Sequence, residues 1–170
     1  SELKKVNSDC EYEIKPITTK GDTDTRPLFT IEQKGIFEKE IDKAVAAKEI
    51  DFAVHSLKDV PSELADNLII ASIPKREKVN DVFISSDDSS LDKIKPGSVI
   101  GTSSLRRAVQ ISRQRSDVTV KPIRGNIETR INKASGENYD AIVLAQAGIS
   151  RLGVDVNFTP LSVDDFSHSP

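Results

Sequence analysis

The chain has 170 residues, 36% hydrophobic and 30% charged, with a formal net charge of −3. That length can bury one good core or two small ones, and the mild negative charge excludes a general affinity for nucleic acid. No apolar run approaches a membrane span, no secretory signal is visible, and one cysteine, Cys10, excludes an intrachain disulfide, so a reducing cytoplasm is the expected compartment.

In chain order, residues 11–17 place Tyr12 and Ile14 in alternation and end at Pro16-Ile17, which predicts a strand. Residues 18–34 are polar and aperiodic, with Gly21 and Pro27, and read as a long loop. Residues 35–48 put Ile36, Phe37, Ile41, Ala44 and Val45 on one face, the spacing of a helix. Residues 51–54 and 68–73 read as strands, and the charged break Pro74-Lys75-Arg76-Glu77-Lys78 as a domain boundary. Beyond it strands are expected at 81–84 and 98–101, then a helix over 103–115 with Leu105, Ala108 and Val109 inward. A strand at 118–123, a helix at 126–134, a buried strand at 141–144 and a helix at 145–152 stopped by Gly153 complete the pattern. This alternation is that of an α/β sheet with helical cover.

Three segments hold candidate functional groups. In Asp51-Phe52-Ala53-Val54-His55-Ser56-Leu57-Lys58-Asp59-Val60-Pro61, a short apolar run predicts a buried strand ending at an adjacent Lys and Asp. Ligands of open α/β sheets sit at the carboxyl ends of strands, where such a pair can bind an anion and hold a carboxylate at a reacting atom. A solvated turn presents the same pair. In Gly101-Thr102-Ser103-Ser104-Leu105-Arg106-Arg107 a hydroxyl residue, Thr102 or Ser103, can cap a helix whose free N–H groups form an anion site. Two cations in a first helical turn oppose the helix dipole, so they point to a compensating anion, unless both are surface residues of an amphipathic helix. In Ile123-Arg124-Gly125-Asn126-Ile127-Glu128-Thr129-Arg130, Asn126 is an expected N-cap and Gly125 allows close backbone approach. Arg151 falls at a helix end, which the dipole already favours. Clustered guanidinium groups in an acidic chain make a local pocket for carboxylate or phosphate. His55 reads as a strand-end packing residue and Cys10 as a structural or surface thiol.

With Tyr139-Asp140-Ala141-Ile142-Val143-Leu144-Ala145 and Ala147-Gly148-Ile149-Ser150-Arg151-Leu152-Gly153, these motifs resemble, in order and spacing over residues 18 to 153, the porphobilinogen deaminase (hydroxymethylbilane synthase) family of tetrapyrrole, porphyrin and heme biosynthesis. The resemblance implies a transferase that joins four porphobilinogen units head to tail into hydroxymethylbilane and releases ammonia at each step. It implies α/β architecture with two periplasmic-binding-protein-like lobes, mixed sheets covered by helices, and the active site in the cleft between them. Residues 1–74 would be part of domain 1, 79–167 domain 2, and 168–170 the start of the return crossing. Carried over by motif, Asp59 is the catalytic carboxylate. Lys58, Arg106, Arg107, Arg124, Arg130 and Arg151 bind substrate or cofactor carboxylates, and Ser56, Thr102, Ser103 and Ser104 add neutral hydrogen bonds. Lys34-Gly35-Ile36-Phe37 also resembles the family, with the loop before it lying over the cleft.

The same resemblance implies a dipyrromethane cofactor held by a cysteine of a third domain, which Cys10 does not match in position or neighbours. The family also begins with a Thr-Arg-x-Ser-x-Leu-Ala strand and loop that this chain lacks. Methionine is absent even at position 1, so the chain reads as a fragment of a longer protein, inactive alone. The expected partner is porphobilinogen, with no metal, nucleic acid or membrane, and the expected state is a monomer. The alternative is a non-enzymatic anion-binding module of the periplasmic-binding-protein fold, which has no need of Lys58-Asp59. A nucleic-acid binder is disfavoured because no aromatic residue is interleaved with the arginines.

Overall fold

The computed structural model describes residues 2–20, 38–134, 136 and 138–168. These fall into two compact units, one holding the described residues up to Ile70 and the other those from Ala71 onward. The structure is mixed α/β, and no helix among the described residues is long and apolar enough to cross a membrane.

Among the described residues the first unit contains helix α1 (Glu2–Val6), helix α2 (Lys39–Ala46) and a 3-10 turn at Leu57–Asp59. Helix α2 follows the expected periodicity: Ala44 is buried, and Ile41 and Val45 are partly covered. The backbone then leaves the helix through Lys48, whose φ is +58°. Residues 21–37, which include most of the expected long loop and the Lys34 to Phe37 motif, lie outside the described residues.

The three strands expected ahead of Pro74 are not present. Residues 11–17, 51–54 and 68–73 are irregular, with Val54 and Ile69 each 83% exposed and Phe52 half exposed. Apolar, β-branched residues supply the propensity for a strand, but a strand exists only where a neighbouring backbone takes up its ladder hydrogen bonds. Among the described residues these segments have no such neighbour.

The second unit is built on one five-stranded sheet: β1 (Asp81–Ser85), β2 (Val99–Gly101), β3 (Thr119–Lys121), β4 (Ala141–Ala145) and β5 (Thr159–Pro160). The spatial order is β3-β2-β4-β1-β5. Strand β2 runs parallel to both β3 and β4, whereas β1 is antiparallel to β4 and β5. The parallel pairs need crossovers, and helices supply them: α3 (Leu105–Gln114) links β2 to β3, and α4 (Ile127–Ala134) links β3 to β4. Helix α5 (Gln146–Leu152) follows β4 directly and ends at Gly153, whose φ of +62° is the left-handed cap that favours glycine.

The sheet is buried on both faces, so its central strands are apolar throughout instead of alternating. The register Val82↔Leu144, Phe83↔Val143, Ile84↔Ile142 sorts their side chains to opposite sides. Phe83 and Val143 join Ile100, Ile111, Leu161 and Phe166 on the α3 side. Val82, Ile84, Ile142 and Leu144 pack with Ile123, Ala134 and Ile149 under α4 and α5. Strand β3 is shorter than the expected 118–123, because Pro122 has no N–H for the ladder.

Helix α3 differs from the expected orientation. Leu105 and Val109 are 69% and 59% exposed, and Ile111 is fully buried. The inward face is Arg107, Ala108 and Ile111, because Arg107 turns toward an ion pair on β1 and sets the rotation of the helix.

Candidate functional site

Strand β2 has its crossover partners on opposite sides, β3 reached through α3 and β4 reached after α4. The carboxyl end of β2 is thus the switch point of the parallel part of the sheet, the place where α/β folds bind ligands. The helices leaving β2 and β3 start at this edge, and each brings arginines with it.

The β2–α3 junction is a chain of short polar bonds. Buried Thr102 accepts the Ser104 N–H on Oγ1 at 3.2 Å. Ser103 Oγ donates to the carbonyl of Ile123 at 2.5 Å and accepts the Ile123 N–H at 3.2 Å, tying the ends of β2 and β3 together. The N-cap is Ser104, one or two residues later than expected from the sequence, and its Oγ accepts the Arg107 N–H at 3.4 Å. The hydroxyls of Thr102 and Ser104 act here as acceptors, which leaves their protons for an outside group, whereas the Ser103 proton is committed to Ile123.

Arg106 and Arg107 share one carboxylate. Asp81, the first residue of β1, has a side chain only 3% exposed. Its Oδ2 receives Arg106 Nη2 and its Oδ1 receives Arg107 Nη2, both at 2.7 Å. The anion that offsets two cations at a helix N-terminus is therefore supplied by the protein. Sequence reading missed Asp81, although an acid heading a strand as apolar as Val82-Phe83-Ile84 is a visible signal, because such a residue stays buried only with a partner. Arg106 also donates through Nη1 to the carbonyl of Ser167. Arg107 has donors in reserve: Nη1 reaches the Val143 carbonyl only at 3.5 Å, and buried Nε has no acceptor.

The β3–α4 junction presents the other two cations. Asn126 is the N-cap expected from the sequence, its Oδ1 accepting the Thr129 N–H at 2.8 Å. Arg130 Nε donates to the carbonyl of Gly125 at 2.7 Å, and Lys133 Nζ donates to that of Arg124 at 2.9 Å. Burial, followed by the nearby guanidinium groups of Arg107 and Arg124, lowers the pKa of Arg130. Arg130 therefore lies within the field of both Arg107 and Arg124, a concentration of positive charge in an acidic chain. Such a group of fixed guanidinium donors suits carboxylate or phosphate.

The remaining candidates are carried by other elements. Arg151 is exposed in the last turn of α5. Asp59 belongs to the first unit, exposed in the 3-10 turn with its N–H bonded to the Ser56 carbonyl at 2.9 Å. Ser56 is exposed, and the side chain of Lys58 is outside what the structure describes. The turn that presents Asp59 follows an irregular segment, not the expected buried strand. His55 is partly buried with Nε2 lacking a partner. Cys10 is an exposed free thiol.

Over residues 1–170 the chain matches the family model described as porphobilinogen deaminase, dipyromethane cofactor binding domain. It is 82% identical over 170 residues to a protein of Nitrosopumilus maritimus (strain SCM1) named probable porphobilinogen deaminase, covering all of this chain and 55% of the relative. It is 50% identical over 166 residues to the porphobilinogen deaminase of Listeria innocua, covering 97% of this chain and 53% of that one. It is 51% identical over 154 residues to that of Bacillus velezensis, covering 90% of this chain and 49% of that one. The chain spans about half the length of the curated relatives it matches. A family model matched from end to end, with at least half of the aligned residues identical in each of these relatives, shows that the chain belongs to the porphobilinogen deaminase family.

Proposed function

We propose that the protein containing this chain is a hydroxymethylbilane synthase, a transferase that joins porphobilinogen units head to tail and releases ammonia. In this reading the chain supplies the catalytic carboxylate, Asp59, and the arginines that bind substrate carboxylates. The observation that carries it is the gathering of Arg107, Arg124 and Arg130 beside the switch point of a sheet in a chain of this family. Porphobilinogen bears an acetate and a propionate, so each added ring brings two more carboxylates to a site of bidentate donors. In this reading residues 1–74 and 79–167 belong to two periplasmic-binding-protein-like lobes of the full protein.

The donor set also fits the dipyrromethane cofactor named by the family, because the buried Nε of Arg107 lacks an acceptor and a pyrrole carboxylate would supply one. Arg107, Arg124 and Arg130 would hold its carboxylates, with Thr102 and Ser104 donating hydroxyl protons. When bound, the cofactor supplies the pyrrole carbon from which the polymer grows.

In each turnover the C–N bond of the aminomethyl group, protonated as an alkylammonium, breaks and its electron pair leaves with ammonia. A cationic methylene-pyrrolenine remains on the incoming unit, the free pyrrole carbon at the growing end attacks its methylene, and the attacking carbon loses its proton as its ring regains aromaticity. Asp59 faces positive charge at every stage. Its carboxylate stabilises the cation and accepts the ring proton, both through one group placed at the pyrrole N–H. Lys58, Arg106, Arg151, Ser56 and Ser103 complete the binding set, Arg106 and Ser103 through the internal bonds that hold their neighbours in place.

Asp59→Asn in the full-length protein tests this assignment. The amide keeps the size of the side chain but can neither offset a cation nor accept a proton. Single-turnover ammonia release should fall by about 10²–10⁴ with the fold and cofactor attachment retained. Near-normal release would remove Asp59 from the chemical step and restore the reading of Lys58-Asp59 as a solvated turn. Lys58→Ala should differ by raising KM more than it lowers kcat.

A further inference from the structure

We propose that Asp81 is the positioning residue of the carboxylate site, fixing Arg106 and Arg107 so that Arg107 keeps donors for the ligand; this rests on the carboxylate-binding reading above. The carboxylate is almost fully buried and its backbone is pinned on both sides. The Gln146 N–H donates to the Asn80 carbonyl at 3.0 Å, and the Leu161 N–H donates to that of Asp81 at 2.9 Å. Each carboxylate oxygen holds one guanidinium group at 2.7 Å. One negative charge against two positive ones leaves the triad cationic, so Asp81 organises the site without neutralising it.

The two arginines are used differently. Arg106 is held at both ends, by Asp81 and by the Ser167 carbonyl, and the 3.1 Å bond from Gln110 Nε2 fastens that same carbonyl to α3. Arg107 is held at Nη2, while its buried Nε has no acceptor. A buried guanidinium N–H without an acceptor is costly, and a ligand carboxylate removes that cost. Arg130 faces the same group with like charge. Without Asp81, repulsion among these cations and the solvation of a free guanidinium both favour Arg107 turning toward water.

Charge and positioning predict opposite outcomes, which makes the inference testable. Asp81→Asn raises the net positive charge, so if Asp81 merely offset charge, anions would bind more tightly. If it positions Arg107, they bind more weakly. The experiment uses the full-length protein, with glutarate as a simple dicarboxylate probe measured by calorimetry and porphobilinogen turnover measured separately. The expected result for Asp81→Asn is glutarate affinity weakened about tenfold and KM raised by a similar factor, with kcat changed less. Asp81→Glu keeps the charge and should recover part of both losses. Glutarate binding in Asp81→Asn equal to or tighter than wild type would overturn the proposal. Should Asp81→Asn fail to fold, Asp81→Glu decides. KM raised with kcat nearly constant supports the proposal, and wild-type values of both overturn it. If the wild-type protein released no ammonia from porphobilinogen, the functional reading would fall, while the glutarate comparison would still test Asp81.

Discussion

At Gly125 the backbone φ is +121°, and a Cβ added there would lie 2.6 Å from Thr129 Cγ2. Both facts oppose any side chain, one through backbone strain and one through contact. Gly125→Ala should destabilise the second unit by about 1–3 kcal/mol in urea unfolding. Adding Thr129→Ser should recover only part of this, because it removes the methyl and leaves the φ. Asp117 sets a pH dependence. Hydrogen bonding to Arg115, at 2.8 Å from both Nε and Nη2, lowers its pKa below the ordinary 3.8. A carboxyl depressed in the folded state contributes stability that is fully present above its unfolded value and is lost as pH falls through the folded one. Asp117→Asn should therefore be less stable than wild type at neutral pH, and the two should converge as pH falls below about 3.8, read from thermal unfolding at a series of pH values.

For helix α4 the relevant interaction is its cap. Asn126→Ala removes the acceptor of the Thr129 N–H and should cost about 1 kcal/mol in the same unfolding assay. Asn126→Asp keeps the cap and suits the helix dipole, yet places a negative charge beside Arg124 and Arg130. It should hold stability while weakening glutarate binding, which separates the helix from the site. Strand β1 carries both architecture and site: Asp81 opens it and Phe83, 1% exposed, fills the core under α3. Phe83→Ala should cost about 3–5 kcal/mol by chemical denaturation. Helix α3 shows how an ion pair can outrank hydrophobic pattern, since Arg107 faces inward and Leu105 outward.

Across the whole molecule the two units differ in how much apolar surface they cover. The second has a complete sheet with a core on each face. Residues 71–170 expressed alone should therefore unfold cooperatively on heating, followed by circular dichroism. Ile14, Val54 and Ile69 of the first unit are more than four-fifths exposed. The chain should accordingly bind a hydrophobic dye there, and Val54→Lys with Ile69→Lys should reduce that binding without changing the melting of residues 71–170.

Much of the second unit was legible from sequence, because its signals are local. The apolar runs at 82–84 and 141–144, the cap at Asn126 and the glycine stop at Gly153 all depend on a few adjacent residues. The arginine motifs were legible for the same reason, as was the family. Three features were not. The sequence shows two cations at the start of α3 but not that Asp81, 25 residues earlier, answers them. It shows apolar runs at 51–54 and 68–73 but not whether a second backbone lies alongside. It shows Leu105 and Val109 in helical spacing but not which way the helix turns. Each is a contact between segments distant in the chain, and local propensity has no information about the partner until the sheet has brought it there.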